Sequence, residues 1–172
     1  MNRVVNVDHL SIRASDFRKS KTFYGKLFDF LGFTVLDEYE DAIGWTNGRT
    51  RFWIGQADGR LRKHRTGDVG FHHYAFELEG WGALGQYADH VARSGQQFIW
   101  GPGRHGPGFN HFTYLLDPDG AVVEAYSDLL KIYDEAAYVP IDWSRQRGAL
   151  NLWGPLLPDG WGDHGVPVIR PG

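Results

Sequence analysis

The chain has no cysteine, so disulfides and thiolate metal sites are excluded and a reducing cytoplasm is the expected location. It also lacks any apolar run approaching the roughly 18 residues of a membrane-spanning helix. Its first residues, MNRVVNVDHL, show no signal-peptide core, so no membrane partner is expected. Charge of either sign is not in excess: 18 basic and 21 acidic side chains leave a net charge of −3, which removes the electrostatic case for nucleic acid. What the chain does have is an apolar share of 42% against 23% charged, enough for a sizeable core and incompatible with wholesale disorder. Its 172 residues suit one domain or two small modules sharing a core. Aromatics at 15% with 23 glycines point to a turn-rich, sheet-containing domain with an aromatic interior.

Val4 to Ile12 reads as a strand. Ser15-Asp16 offers an N-cap for a helix whose Phe17, Ser20, Tyr24, Leu27, Phe28 and Leu31 form one apolar stripe, with Gly32 in the C-cap position. Strand-like runs follow at Phe33–Tyr39, Ala42–Thr46 and Thr50–Gln56, the last two joined by the hairpin signal Asn47-Gly48. A basic loop, Asp58 to Asp68, precedes a second set in the same order. Gly70–Leu78 is a strand, and a helix follows with Trp81, Leu84, Tyr87, Ala88 and Val91 on one face, closed by Gly95. Gln96–Trp100, Phe109–Leu116 and Ala121–Tyr126 are strands, the last pair joined by the turn Asp117-Pro118-Asp119-Gly120. The expected fold is therefore α+β: two βαβββ modules, about 4–57 and 70–127, forming a curved mixed sheet around a central pocket within one domain, 1–127. Residues 128–172 are rich in Pro, Gly and Trp, with a short helical candidate near Leu129–Ala137. Trp143, Trp153 and Trp161 are costly to expose together, so this stretch is expected to be an ordered arm on the domain, a partner subunit or the pocket entrance.

Eight histidines without cysteine invite a metal reading. His9 lies in the first strand of module one and His72-His73 in the first strand of module two. Superposing the repeats sets His9 against His73, both facing the shared concavity. Glu124, flanked by Val122, Val123 and Ala125, is expensive to bury unless it is paired or holds a cation. Aligning the turns Asn47-Gly48 and Asp119-Gly120 sets Phe52 against Glu124, so module one offers no further carboxylate. Two histidines and one carboxylate make the facial ligand set of non-haem Fe(II) chemistry, which leaves several coordination positions open. The spacing leaves open that a histidine is a hydrogen-bonded structural residue and that Glu124 pairs with an arginine such as Arg51 or Arg104. The glycines of GPGRHGPG do not make a phosphate loop, since no Lys-Ser/Thr follows and no helix begins there. Asp8 is expected to pair locally, and His111, three positions from Tyr114, to face the opposite side of its strand.

Together VDHLSI, Phe23-Tyr24 with Phe28 and Leu31-Gly32-Phe33, HHYAFEL and the DPDG-x3-E run resemble the vicinal oxygen chelate superfamily of glyoxalases, antibiotic-resistance proteins and type I extradiol dioxygenases. The segment GPGRHGPGFNHFTYLLDPDGAVVEAY is similar to the C-terminal signature of ring-cleaving enzymes of the catechol 2,3-dioxygenase type. The tail's LNLWGP is similar to the ends of some of them. The resemblance implies that His9, His73 and Glu124 bind the metal, the second histidine of the HH pair being the ligand. Alternation along the strand agrees, setting His72 and His73 on opposite sides. It implies catalytic roles for His105, at the pocket mouth, and for Tyr114, hydrogen-bonded to a catechol oxygen. These two stand 19 and 10 residues before the glutamate, at the family's distances. The implied cofactor is Fe(II), with Mn(II) or another divalent metal as the alternative. The implied partners are a small aromatic vicinal-diol substrate and O2, in a homo-oligomer, dimer or higher, with Phe112, Trp53 and Trp100 lining the pocket. One position departs from the pattern: where such enzymes carry a further acid/base histidine, this chain reads RTRFWIGQ, with Thr50 or Arg51 at that place and His64 in the nearby basic loop. The alternatives are a glyoxalase-like isomerase or thiol transferase on another divalent metal, and a metal-free protein that binds an aromatic drug or metabolite.

Overall fold

The computed structural model describes residues 7–58, 71–134, 136–143, 145–146 and 148–159. They belong to two compact units, Met1–Lys63 with Asp117–Asp119, and His64–Leu116 with Gly120–Gly172. Each unit carries one βαβββ module with its own four-stranded mixed sheet.

In the first unit, β1 (His9–Ala14) leads into α1 (Phe17–Phe30), then β2 (Thr34–Glu38), β3 (Ala42–Thr46) and β4 (Arg51–Gln56). The sheet order is β1-β4-β3-β2, with β1 parallel to β4 and the other pairs antiparallel. Asp16 caps α1 by accepting from the Lys19 N–H at 3.0 Å, so the helix starts where its side-chain signal lies. At the other end Gly32 takes φ 75°, which lets the Phe33 N–H reach the Phe28 carbonyl at 2.8 Å and closes a Schellman turn. The stripe Phe17, Ser20, Tyr24, Leu27 and Phe28 is buried, with Phe28 against Phe52 and Trp45 at ring separations of 5.1 and 5.2 Å. The Asn47 side chain accepts from the Arg49 and Thr50 N–H groups and Gly48 takes φ 84°, which turns β3 back into β4. Tyr24 is fully buried and its hydroxyl donates to Asp117 Oδ2 at 2.7 Å. Tyr24→Phe removes that donor while keeping the ring, and is expected to cost about 1–2 kcal/mol. Denaturant titration checks it; an unchanged midpoint would show that the bond is replaced by water without loss.

In the second unit the order is β5 (His73–Leu78), α2 (Trp81–Arg93), β6 (Trp100–Arg104), β7 (His111–Leu116) and β8 (Val122–Ser127), with sheet order β5-β8-β7-β6. β5 runs parallel to β8 and the other pairs are antiparallel. Leu84, Tyr87 and Val91 are the buried residues of α2, and Gly95 at φ 76° follows its end. Among the described residues no helix is long and apolar enough to cross a membrane.

Three local expectations change. The last strand-like run before the glycine-rich segment, Gln96–Trp100, is irregular up to Ile99, and β6 instead runs through Gly101, Pro102 and Gly103. A proline and two glycines fit there because β6 is an edge strand whose register with β7 slips between Trp100 and Gly103. Of the expected strand Val4–Ile12, residues 4–6 lie outside the described residues, and β1 runs from His9 past Ile12 to Ala14. The described residues of 129–137 form no helix. Asp134 makes an isolated turn, accepting at its side chain from the Ala136 and Ala137 N–H groups. Leu129, Leu130, Ile132 and Tyr133 stay exposed, so no packed face supports a helix that short.

Candidate active site

Strand register gathers the candidate residues of the second unit. Trp100 pairs with Tyr114, Tyr114 with Glu124, and Glu124 with Ala75, which makes one row across all four strands. His73 stands two residues before Ala75 and therefore shares its face. The opposite face carries Tyr74, Leu115, Val123 and Ala125, all buried.

On the site face His73 Nε2 lies 3.2 Å from Glu124 Oε2, and His105 Nε2 lies 3.1 Å from the Tyr114 hydroxyl and 3.9 Å from Glu124 Oε1. Tyr114 is also the cross-strand neighbour of Glu124, whose carboxylate acts on the phenol. His105, just past β6, stacks on Phe112 at 3.9 Å with the rings 12° from parallel. Trp100, Phe112, Tyr114 and Val122 form the apolar cluster beneath. Glu124 is only 6% exposed, and its ion-pair partners are imidazoles, not the arginines considered from the sequence: Arg51 pairs with Asp8, and the Arg104 Nε–H donates to the Phe109 carbonyl. Burial first, then the Glu124 charge, pushes the Tyr114 phenol above its ordinary range, so the hydroxyl stays protonated at neutral pH. Burial holds His105 below the ordinary imidazole value, so its neutral form prevails.

The Leu150 carbonyl oxygen, which can only accept, lies 2.5 Å from His105 Nδ1. His105 Nε2 and the buried Glu124 carboxylate both lie beside the Tyr114 hydroxyl. A buried carboxylate beside imidazole nitrogens is the donor set of a divalent cation, so the residues fit a metal. Among the described residues, however, no group of three or more His, Asp or Glu side chains is gathered to hold one.

The other sequence-predicted residues fall as follows. His9 belongs to the first unit, is exposed, and bonds through Nδ1 to Asp8 at 3.1 Å. Asp8 pairs locally as expected, and bonds from His9 and Arg51 hold its carboxyl below the usual range. Arg51, one of the two residues at the place where the resemblance implies a further histidine, is the cross-strand neighbour of His9. His64 lies outside the described residues. The counterpart of Glu124 in the first module is Trp53, not Phe52: His9 pairs with Arg51 as His73 pairs with Val122, and two residues on lie Trp53 and Glu124. One extra residue between turn and strand in module one shifts the match. Trp53 lies over Gly44, where an added Cβ would meet its ring at 2.7 Å. His72 and His73 do not point apart; their Nδ1 atoms are 2.7 Å from each other, because His72 precedes the first strand residue and alternation does not reach it. His111 does face away from Tyr114, bonding to Asp128 at 3.0 Å with Trp81 and Trp153 beside its ring.

Sequence reasoning missed the residues behind His105. Ala149, Leu150 and Asn151 lie along the edge strand, and the glycines of GPGRHGPG make room for them. A Cβ on Gly103 would come within 2.7 Å of Asn151 Oδ1, and one on Gly106 within 2.7 Å of the Ala149 carbonyl. The available signal was LNLWGP, whose asparagine carries the contacts.

A βαβββ module in each unit is a glyoxalase-like fold. The model of the Glyoxalase/Bleomycin resistance protein/Dioxygenase superfamily matches residues 6–125, and the chain belongs to that family. The chain is 29% identical over 153 residues to Metapyrocatechase 2 of Cupriavidus necator, covering 89% of this chain but only 45% of that protein. Among solved structures it is similar to a glyoxylase/bleomycin resistance protein/dioxygenase domain from Frankia sp. EAN1pec, with TM-score 0.60, 19% identity, and 73% and 93% of the two chains covered. It is also similar to lactoylglutathione lyase from Agrobacterium tumefaciens, with TM-score 0.56, 16% identity, and 73% and 96% covered.

Proposed function

We propose that this protein is a metal-dependent dioxygenase of the extradiol type, which opens a catecholic ring with O2. The observation that carries the reading is the convergence of His73, His105, Tyr114 and Glu124 on one face of one sheet, joined by contacts of 3.1–3.9 Å. The 29% identity to a protein named Metapyrocatechase 2 supports it. His73 and Glu124, with His9 from the first module, would hold the metal, Fe(II) by preference or Mn(II). Bound iron would supply open coordination positions on one side and the electron exchange that O2 chemistry requires.

The chain's own residues have separate tasks. The Tyr114 phenol, kept protonated by burial, donates a hydrogen bond to a substrate oxygen and balances the charge left there on deprotonation. His105 Nε2 accepts the proton of a substrate hydroxyl and can return it when the ring opens. Trp100 and Phe112, both buried, give a flat ring an apolar wall and exclude water. Soluble, cytoplasmic aromatic catabolism fits this assignment.

Anaerobic Fe(II) loading and desalting, followed by oxygen uptake with a panel of catechols, tests the reading. Wild type is expected to keep about one iron per chain and His73→Ala to lose it. Tyr114→Phe is expected to keep iron while kcat falls by about 10²–10³-fold, the usual cost of one donor to a developing anion. Turnover independent of oxygen would transfer the site to an isomerase or thiol transferase. Absence of retained metal in every variant would leave a binder of aromatic molecules.

A further inference from the structure

We infer that the segment Ala149–Asn151 is a positioning device for His105, which it holds as the Nδ1–H tautomer so that Nε2 is the bare nitrogen facing Tyr114. A carbonyl oxygen only accepts, so the 2.5 Å approach of the Leu150 carbonyl to His105 Nδ1 requires the proton on Nδ1. The reverse tautomer would set a lone pair against that oxygen.

The Leu150 carbonyl is itself held. On one side the Gly106 N–H donates to the Ala149 carbonyl at 2.6 Å, and on the other the Leu152 N–H donates to the Arg104 carbonyl at 2.7 Å. These bonds bracket His105 and tie the segment to the backbone that carries the imidazole. Asn151, 4% exposed, locks the bend: its Oδ1 accepts from the Arg104 and Trp153 N–H groups at 3.3 and 3.1 Å, and its Nδ2 donates to the Pro155 carbonyl at 3.0 Å. Asn151 and the two glycines that admit this segment therefore act on the imidazole without touching a substrate. Phe112 stacked on the ring fixes its plane, so the carbonyl has only to select which nitrogen carries the proton.

The catalytic consequence rests on the proposed ring-cleavage reading; the tautomer does not. The test is a long-range proton–nitrogen correlation spectrum of the histidine side chains in the 15N-labelled, metal-free protein at about pH 8, above the ordinary imidazole range. The His105 signal is assigned by its loss in His105→Gln. Wild type is expected to show a protonated Nδ1 and a bare Nε2. Asn151→Ala should shift the signal toward the Nε2–H form and, in the iron-loaded protein, lower kcat about tenfold or more with KM within about twofold, a part of the usual acid/base contribution. Gln146→Ala, which removes only a side-chain amide that donates to the Asp142 carbonyl and keeps the main-chain bond to Ala149, should leave the tautomer as in wild type. An Nε2–H tautomer in wild type overturns the inference, and so does a wild-type spectrum in folded Asn151→Ala. If that variant does not fold, Leu150→Gly, at a half-exposed side chain, loosens the same carbonyl and is judged by the same criterion. Inactivity with every catechol beside an Nδ1–H spectrum would fail the ring-cleavage reading and leave this one standing.

Discussion

Glu124→Ala is expected to abolish metal retention and oxygen-dependent turnover while leaving the metal-free protein folded. The two effects separate for a physical reason. Glu124 is 6% exposed between Val122 and Val123 at 0% and Ala125 at 1%, so the strand's packing does not depend on a charge at that position. A buried carboxylate carries a desolvation cost that its pairing with a partly exposed His73 only offsets, so deleting both charge and cost changes stability little. Metal binding has no such compensation, because no other carboxylate is paired with His73 or His105 among the described ion pairs. Even an outer partner of a metal ligand costs about 10–100-fold in affinity, so loss of a direct ligand, the role proposed for Glu124, should exceed about a hundredfold. Glu124→Gln, with the same shape but no charge, should behave as the alanine variant does. Metal content and a thermal melt of the metal-free protein decide the matter: full activity in Glu124→Ala removes the assignment, and a collapsed melt makes the residue structural.

Phe112→Ala is expected to give the largest loss of stability. The ring is fully buried, 4.5 Å from Trp100, 5.4 Å from Tyr114 and stacked under His105 at 3.9 Å. Its removal leaves a cavity among rings too rigid to close it, at a cost of about 3–5 kcal/mol, or about 10–15 °C in Tm for a chain of this size. The site should lose function together with stability, since His105 and Tyr114 both rest on that ring. Phe112→Leu keeps most of the volume and should cost about 1–1.5 kcal/mol. Melting within about 2 °C of wild type in Phe112→Ala would show that the neighbouring rings collapse into the gap and that the cluster is not rigid.

Much of the fold was legible because its signals are local. Asp16, Gly32 and the Asn47-Gly48 pair act within a few residues of themselves, by accepting a nearby N–H or by adopting a positive φ. The elements they bound appear within a few residues of their expected places. The candidate residues of the second module were legible for a related reason. Alternation along β8 and β7 puts Glu124 and Tyr114 on one face once the strands pair in register, and resemblance to the superfamily supplied His105. The alignment of Phe52 with Glu124 failed because a repeat aligned on its turns inherits any difference in turn length, whereas strand pairing does not.

By itself, then, the sequence determined the order of elements, the repeat, the absence of thiol chemistry and the residue types available for a metal. All of these follow from side chains acting on their own neighbourhood or from composition. Tertiary structure alone decided that a strand runs through Gly101-Pro102-Gly103, that Glu124 meets imidazoles instead of arginine, and what faces His105 Nδ1. The last depends on a main-chain carbonyl 45 residues away along the chain, and every residue type has one, so no pattern of side chains could have announced it.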